Sequence, residues 1–494
     1  MRLLLKKNIM EMLDLMEHVQ GIVSSQWGKG NTDQLLEWLT QLQESAMEIG
    51  KAIEAQEQTD KGLICLLEEY CELLYLLSQT MENGKGADIL TADCGRKLEE
   101  IRRHVKQTDV QIKIAFFPYK YTMWDSLESI WRAACKDKRC ECQVIPVPYY
   151  DKGEDGKLEE MHYEGESFPE EVPVLDYRDY SIDAENPDIV YIHNPYDEYN
   201  KVTCIHPAFF MDHLKKRGAV MVYVPYYMAS ACDKIENLGI FYRTKGAVQS
   251  DFIVLQSDKL KEAYAYCGID DKKILVTGSP KIDKICELKK LNRKGIEKWQ
   301  PIIKGRKVLL FCSSINSLLA DDKWMVQTNI VIDRILSDSS LALIWRPHPL
   351  LFQTLRMLKK EWVEEYQKLY EKIEKAENGI VDEKEDFGES LMVSDGMIGD
   401  FSSLVLQYTF LEKPALLLRG DSRGRNDVVF CDYSSHYFVP EGTTVDDFIQ
   451  MIKEGKDEKK EERMRYAKAS IANPNGTCGE KTHEAVIKKI CFWE

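Results

Sequence analysis

The chain has 494 residues, about three times an ordinary ~150-residue domain, so two or three domains are expected and one hydrophobic core cannot serve them all. Apolar residues make up 44%, charged residues 30% and aromatics 10%, a globular composition that excludes disordered, collagenous or wholly coiled-coil chains. With 82 acidic against 66 basic residues the net charge is −16, which argues against a protein that coats nucleic acid.

Residues 1–108 are expected to be helical. Ile9, Met12, Leu13, Met16, Val19, Ile22 and Val23 recur at helical spacing, as do Leu35, Leu36, Leu39, Leu42, Ala46 and Ile49 behind an Asn31 cap with Gln34 three residues on. A third run carries Leu63, Leu66, Leu67, Tyr70, Leu73, Leu74 and Leu77. One apolar face per helix predicts a small bundle, an element for a protein partner or for self-association, with no polar constellation that suggests chemistry.

From residue 111 short β-branched runs alternate with amphipathic stretches, the pattern of βαβ units. Strands are expected at Ile112–Phe117, Cys142–Val147, Ile189–Ile192, Ala219–Val224, Phe252–Leu255 and Ile274–Thr277, with helices at Trp124–Cys135, Phe209–Lys216 and Lys259–Tyr266. The charged stretch Lys284–Lys304 carries the crossing to a second α/β series. There, strands are expected at Val308–Cys312, Ala342–Trp345, Ile380–Val381, Met392–Val393 with Met397–Ile398, and Ala415–Leu418. Helices are expected at Trp324–Leu336, Leu355–Ala376 and Ser402–Leu411, and Lys453–Lys468 reads as a solvated helix face. The division is thus 1–108 helical, 109–290 a first Rossmann-like domain and 291–494 a second, with a ligand cleft between the two α/β halves.

No run approaches the ~18 apolar residues of a membrane span, and Met1-Arg-Leu-Leu-Leu-Lys-Lys breaks off too early for a signal-peptide core, so a cytosolic protein is expected. The 14 cysteines are scattered, and Cys140 and Cys142 have no second pair to complete a zinc site, so reduced thiols and no metal or cofactor are expected. Gly-x-Gly-x-x-Gly, the phosphate loop, His-Glu-x-x-His and Gly-x-Ser-x-Gly are all missing, which excludes classical dehydrogenases, NTPases, zinc proteases and α/β-hydrolases.

Three strand ends carry the chemistry that remains. In Leu343-Ile344-Trp345-Arg346-Pro347-His348-Pro349 two prolines stiffen a loop at a strand's carboxyl end, where Arg346 offers a fork for phosphate oxygens and His348 a donor to a leaving oxygen. The bland alternative is a turn whose arginine pairs with a surface carboxylate. In Gly399-Asp400-Phe401-Ser402-Ser403 a strand ends in a turn that opens a helix, whose first N–H groups and dipole suit phosphate; here the alternative is that Asp400, Ser402 or Ser403 is an N-cap and nothing more. In Thr277-Gly278-Ser279-Pro280-Lys281-Ile282-Asp283 the loop is either a simple turn with a solvated Lys281 or a third phosphate contact.

In this order, and followed by Lys413-Pro414, the three motifs resemble the CDP-glycerol:poly(glycerophosphate) glycerophosphotransferase family, teichoic-acid polymerases and primases of GT-B fold, over roughly residues 188–430. The resemblance implies two Rossmann-like domains facing a cleft, and transfer of an alditol phosphate from a CDP-activated donor to an acceptor hydroxyl with release of CMP. It implies Arg346 and His348 on the pyrophosphate, Ser402 and Ser403 on its oxygens, Asp400 ordering their turn, and Gly278, Ser279 and Lys281 on the donor side. A lipid-linked polymer or glycan acceptor, and with it a peripheral place on the inner face of the membrane, is implied as well.

The chain departs from the family where a Trp-His-Gly-Thr-Pro-like motif should supply the acceptor base: the strand runs Met221-Val222-Tyr223-Val224-Pro225-Tyr226-Tyr227. Phe311-Cys312-Ser313-Ser314 likewise replaces the Ala-Pro-Thr-x-Arg pattern. A substitute base is expected in His193 or His206, each of which is otherwise a buried, satisfied imidazole, with Tyr226 and Tyr227 on the acceptor side. A nucleotide-sugar glycosyltransferase and a catalytically lapsed scaffold are the other readings.

Overall fold

In the computed structural model residues 1–491 are described, apart from 30, 57–58, 81–85, 154, 201, 217, 230, 233, 291–296, 349–350, 385, 401, 420–427 and 432. Pro349 and Phe401 of the two motifs, and part of the crossing segment, therefore lie outside the described residues. The chain divides into two compact units, one of Met1–Ile114, Asp137–Glu141 and Asn186–Ile189, the other of the remaining residues.

The first unit is a four-helix bundle of α1 (Leu3–Gln26), α2 (Thr32–Glu54), α3 (Lys61–Gln79) and α4 (Ala87–Gln107), in which α1 and α3 each pack on both α2 and α4. Asn31 accepts from Asp33 N and Asp60 from Leu63 N, which starts α2 and α3 where side-chain caps are available. The fourth helix escaped the sequence reading because it is rich in charge; its stripe of Cys94, Leu98, Ile101 and Val105 is buried all the same. Asp188, fully buried, receives Leu4 N at 3.1 Å and Lys113 N at 2.8 Å, with Arg2 3.7 Å away, so a distant carboxylate serves the start of α1.

The second unit is built on two open sheets. In chain order the strands are β1 (Ile112–Phe117), β2 (Cys140–Val144), β3 (Tyr149–Lys152), β4 (Leu158–His162), β5 (Ile189–Ile192), β6 (Thr203–Ile205), β7 (Val220–Tyr223), β8 (Ala231–Cys232), β9 (Phe252–Leu255) and β10 (Ile274–Val276). They continue with β11 (Lys307–Cys312), β12 (Leu341–Arg346), β13 (Gly379–Val381), β14 (Gly396–Gly399), β15 (Ala415–Leu417), β16 (Val428–Val429) and β17 (Tyr437–Phe438). The first sheet runs β10-β9-β7-β5-β1-β2, and the second runs β13-β12-β11-β14-β15-β17 with all its neighbouring strands parallel. Near-continuous apolar runs such as Ile189–Ile192 and Leu341–Trp345 are what strands covered on both faces require. Two Rossmann-like domains that follow a helical bundle in the chain make the architecture GT-B-like, as the sequence led one to expect.

Several elements differ from expectation. Gly388–Val393 is a helix, so Met392 and Val393 are not a strand; the apolar pair faces the core from one helical turn. The long helix breaks into Leu351–Leu358 and Val363–Lys375, and Lys453–Lys468 into Val445–Glu454 and Lys460–Ala469, where Gly455 ends the first in a left-handed turn and Arg463 is buried against Asp457. An antiparallel sheet β4-β3-β6 is inserted in the first domain; its strands of three to five residues carry little signal.

The second domain also returns to the first. The helices are numbered on as α5 (Glu128–Lys136), α6 (Pro280–Lys290), α7 (Ser403–Phe410) and α8 (Cys478–Cys491), and α8 packs on α5 and α6. Asp283 accepts from Cys478 N (2.9 Å) and Gly479 N (2.7 Å) and so caps α8. A Cβ on Gly479 would stand 2.4 Å from the backbone of Ser129, and one on Gly278, at φ +97°, would meet Ala472 O at 2.2 Å. Gly278→Ala is expected to destabilise the protein by more than about 2 kcal/mol, from the left-handed backbone and the blocked approach together; urea unfolding of the variant against wild type measures this, and an unchanged midpoint would show that the return segment gives way.

Candidate active site

The strand order of the second sheet reverses between β11 and β14, and a crevice outside the carboxyl ends of two such strands is where open α/β sheets hold ligands. Cys312, the last residue of β11, is in register with both Arg346 and Gly399, so Arg346 and the β14 turn flank it at roughly 10 Å from each other, two strand spacings. Two of the three motifs thus meet at one edge.

Asp400 is buried and ties this edge together. One oxygen accepts from Ser314 N in the β11 loop (3.2 Å), the other from Arg419 Nη1 after β15 (2.8 Å). Arg419 is itself fixed by Asp321 (3.2 Å) and Gln327 (2.5 Å). Ser402 is extended, at φ −160° and ψ 164°, and its side chain makes no capping bond, so α7 begins at Ser403 with its first-turn N–H groups not taken up by that cap. Neither serine is the simple N-cap that the sequence also allowed. Ser313, also at the crevice, is buried with an Oγ that makes no hydrogen bond.

Arg346 donates to the buried Asp382 (2.7 Å) and to Lys384 O (2.5 Å), so the loop after β13 orients the guanidinium. Asp382 also accepts from Ser390 Oγ. The partner is therefore an internal carboxylate that aims the fork, not the surface carboxylate of the bland reading. His348 is exposed at the rim, and partial desolvation lowers its pKa, which leaves the neutral ring as its form at pH 7. Both residues line a cavity of about 570 Å³, large enough for a nucleotide-sized ligand. Lys120, Tyr149 and Glu164 of the first domain line it too, opposite Arg346, His348 and Lys384.

The third motif does not join them. Gly278 serves the close approach of the return segment, Ser279 is buried with an unbonded Oγ, and Lys281 is buried with its Nζ 2.5 Å from Asp125. Burial pushes the Asp125 carboxyl up and the Lys281 charge opposes it, the behaviour of an internal ion pair that holds α6 to the loop before α5. Lys281 is neither solvated nor presented to a phosphate.

His193 stands at the end of β5, beside β1 where the first sheet's order reverses, yet it is closed off. Nε2 accepts from Tyr119 N at 2.7 Å, while Nδ1 lies 3.0 Å from Ser126 Oγ and 3.2 Å from Met123 O. Burial lowers its pKa to about 3, so it is a neutral imidazole that fastens the β1 loop, and the base role expected of it does not fit. His206 Nδ1 accepts from Ala208 N, a local turn contact. Tyr226 packs edge-on to Tyr227, with ring centroids 5.5 Å apart, and burial raises both phenols. Tyr226 opens on a separate cavity of about 920 Å³ with Tyr196, Tyr199 and Lys245, away from Arg346.

Asp382, Arg419, Ser314, Lys120, Tyr149 and Glu164 were not read from the sequence. Asp382 follows β13 directly and Arg419 stands two residues past β15, so the strand-end rule applied to every strand would have found them.

Residues 241–473 match the model of the family described as CDP-glycerol:poly(glycerophosphate) glycerophosphotransferase. This stretch is similar to the glycerophosphotransferases of that family. The resemblance carried by the three motifs therefore holds, and the match runs from late in the first domain through almost all of the second. No curated protein matches the chain. Among solved structures, MnaA of S. aureus with UDP is similar at 14% identity over 77% of this chain and 97% of its own (TM-score 0.49). The wall teichoic acid polymerase TagF soaked with CDPG is similar at 12% over 86% and 98% (TM-score 0.48), and UDP-GlcNAc 2-epimerase of Neisseria meningitidis with UDP-GlcNAc at 13% over 76% and 100% (TM-score 0.48).

The closed geometry of His193 has a thermodynamic signature. Its folded pKa of about 3 lies below the ordinary 6.5, so between these values the unfolded chain binds the extra proton and stability falls as pH drops from 6.5 toward 3. Urea unfolding at pH 7 and pH 5 should show a loss of up to ~1.4 kcal/mol per pH unit that His193→Gln lacks; equal slopes in both proteins would mean that the ring titrates normally.

Proposed function

We propose that the protein moves glycerol phosphate from CDP-glycerol to an acceptor hydroxyl and releases CMP, with the donor diphosphate held at the β11/β14 crevice. The family match over residues 241–473 supports the reaction, and the observation that carries the site is the joining of Arg346, Asp400 and the uncapped start of α7 at the ends of three adjacent strands. In this reading the first-turn N–H groups of α7 and the Ser402 and Ser403 hydroxyls take the phosphate oxygens. Arg346, aimed by Asp382, spreads the charge that gathers on the departing CMP, and neutral His348 donates to it or positions it. Asp400 holds the crevice open at the right width and does not touch the ligand.

The acceptor is taken to be a lipid-linked polyol phosphate polymer or glycan, handled at the membrane's inner face. No described helix is long and apolar enough to cross a membrane, so such a role would be peripheral. The 920 Å³ cavity, with Tyr196, Tyr199 and Tyr226 beside Lys245, offers the stacking and polar groups such an acceptor needs. A second reading, donor binding without transfer, is favoured by one observation: His193 is closed and the segment directly after β7, Val224-Pro225-Tyr226-Tyr227, holds no histidine.

Calorimetry should find CDP-glycerol and CMP bound in preference to UDP- and GDP-sugars, with Arg346→Ala weakening CDP-glycerol about 10- to 100-fold, the loss expected of a charge-assisted fork. Circular dichroism checks that Asp382, left without its partner, has not unfolded the variant. Preference for a UDP-sugar would move the reading to sugar transfer. Turnover separates the remaining cases: His348→Ala should slow CMP release by ~10²-fold or more, and unchanged release would remove His348 from the mechanism.

A further inference from the structure

An acceptor hydroxyl must lose its proton as it attacks phosphorus, and the groups expected to take it fail on geometry. His193 has both ring nitrogens engaged, His206 accepts from Ala208 N in its own turn, and neither lines the cavity of Arg346. The cavity that holds Arg346 and His348 supplies another candidate. Among the described lining residues its first-domain wall carries one carboxylate, Glu164, which follows β4 in the inserted sheet. Tyr149 OH donates to one of its oxygens at 2.7 Å and Tyr121 N to the other at 2.8 Å. Two donors on two different segments fix the carboxylate, and each oxygen keeps a second lone pair for a hydroxyl. Lys120 stands 4.5 Å from the Tyr149 ring centre, which holds the wall that presents Glu164. Asp382 and Glu383 on the facing wall are committed to Arg346 and Ser390 and to Tyr370.

Resting on the donor reading above, we propose that Glu164 is the general base that receives the acceptor hydroxyl proton. The hydroxyl O–H bond breaks and its proton passes to the Glu164 carboxylate. The oxygen forms the new bond to the phosphorus of the glycerol phosphate unit, and the P–O bond to CMP breaks with its electron pair leaving on the CMP phosphate. Glutamic acid then returns the proton to solvent. The insertion β4-β3-β6, which the bare Rossmann core does not need, thereby brings the base to the cleft.

The test uses the full chain with CDP-glycerol and a short glycerophosphate oligomer as acceptor probe. Glu164→Gln should lower kcat by ~10²-fold or more, leave KM for CDP-glycerol within about threefold, and erase the acid limb of the kcat/KM profile. Glu164→Asp should recover part of the rate. Tyr149→Phe, which keeps the carboxylate but loosens it, should cost less than about tenfold and retain the acid limb. Glu164→Gln with kcat within about threefold of wild type, or with the acid limb intact, overturns the assignment and leaves the donor site standing. Wild type that binds CDP-glycerol but releases no CMP to the oligomer overturns Glu164 as base in the same way, whereas wild type that binds no cytidine nucleotide takes down the donor reading and the base together.

Discussion

A buried aspartate at the point where strand order reverses is what the second domain's chemistry hangs on. Asp400 is buried where two loops diverge, and a carboxylate there is tolerable only if its charge is met. Ser314 N and the Arg419 guanidinium meet it, one from each side of the crevice. Those two bonds fix the spacing between the β11 loop and the start of α7. Arg346 is in register one strand further along the same edge, so its distance from the helix start is set by the sheet and not by a flexible loop. Preorganisation of this kind is what lets cationic and N–H groups stabilise a developing phosphate charge without reorganising during the reaction.

The Thr277–Asp283 motif finds its explanation elsewhere in the same unit. Gly278 admits Ala472, Thr277 meets Thr482 through their hydroxyls at 2.7 Å, and Asp283 caps α8. Lys281 meets Asp125. The hydrogen bonds and close approach of Thr277, Gly278, Lys281 and Asp283 thus go to the returning C-terminal segment or to the first domain. A sequence pattern that travels with a donor site can therefore serve the frame that joins the two domains.

How far the sequence could be read followed from how local the cause was. Ile189–Ile192, Phe252–Leu255 and Trp324–Leu336 match the reading residue for residue, because burial on both faces of a strand, or on one face of a helix, is written in consecutive side chains. The strand-end positions of Arg346, Asp400, Ser402 and Ser403 were legible for the same reason. Met392 and Val393 are a short apolar pair, which periodicity cannot assign, and β3, β4 and β6 are strands of three to five residues specified by their pairing. The errors at Lys281 and His193 share one cause. Asp125 lies 156 residues from Lys281 and Tyr119 lies 74 from His193, and no local pattern announces such a partner.

The net charge of −16 and the anionic donor set up an apparent conflict that the geometry resolves. At physiological ionic strength a charge is screened beyond about 8 Å, so the acidic surface as a whole contributes little inside the cavity. What a diphosphate meets there is local: Arg346, Lys384 and Lys120 on the walls, and the positive end of α7 at the crevice. Two of the acidic groups on those walls are already spent, Asp382 on orienting Arg346 and Glu383 on Tyr370. Glu164 is held by two neutral donors on the opposite wall, so its charge is aimed without being cancelled. On the proposed reading, Arg346 and Lys384 stand on the donor wall and the oriented Glu164, beside Lys120, on the other, an arrangement that does not depend on the missing histidine motif because it is built from different residues.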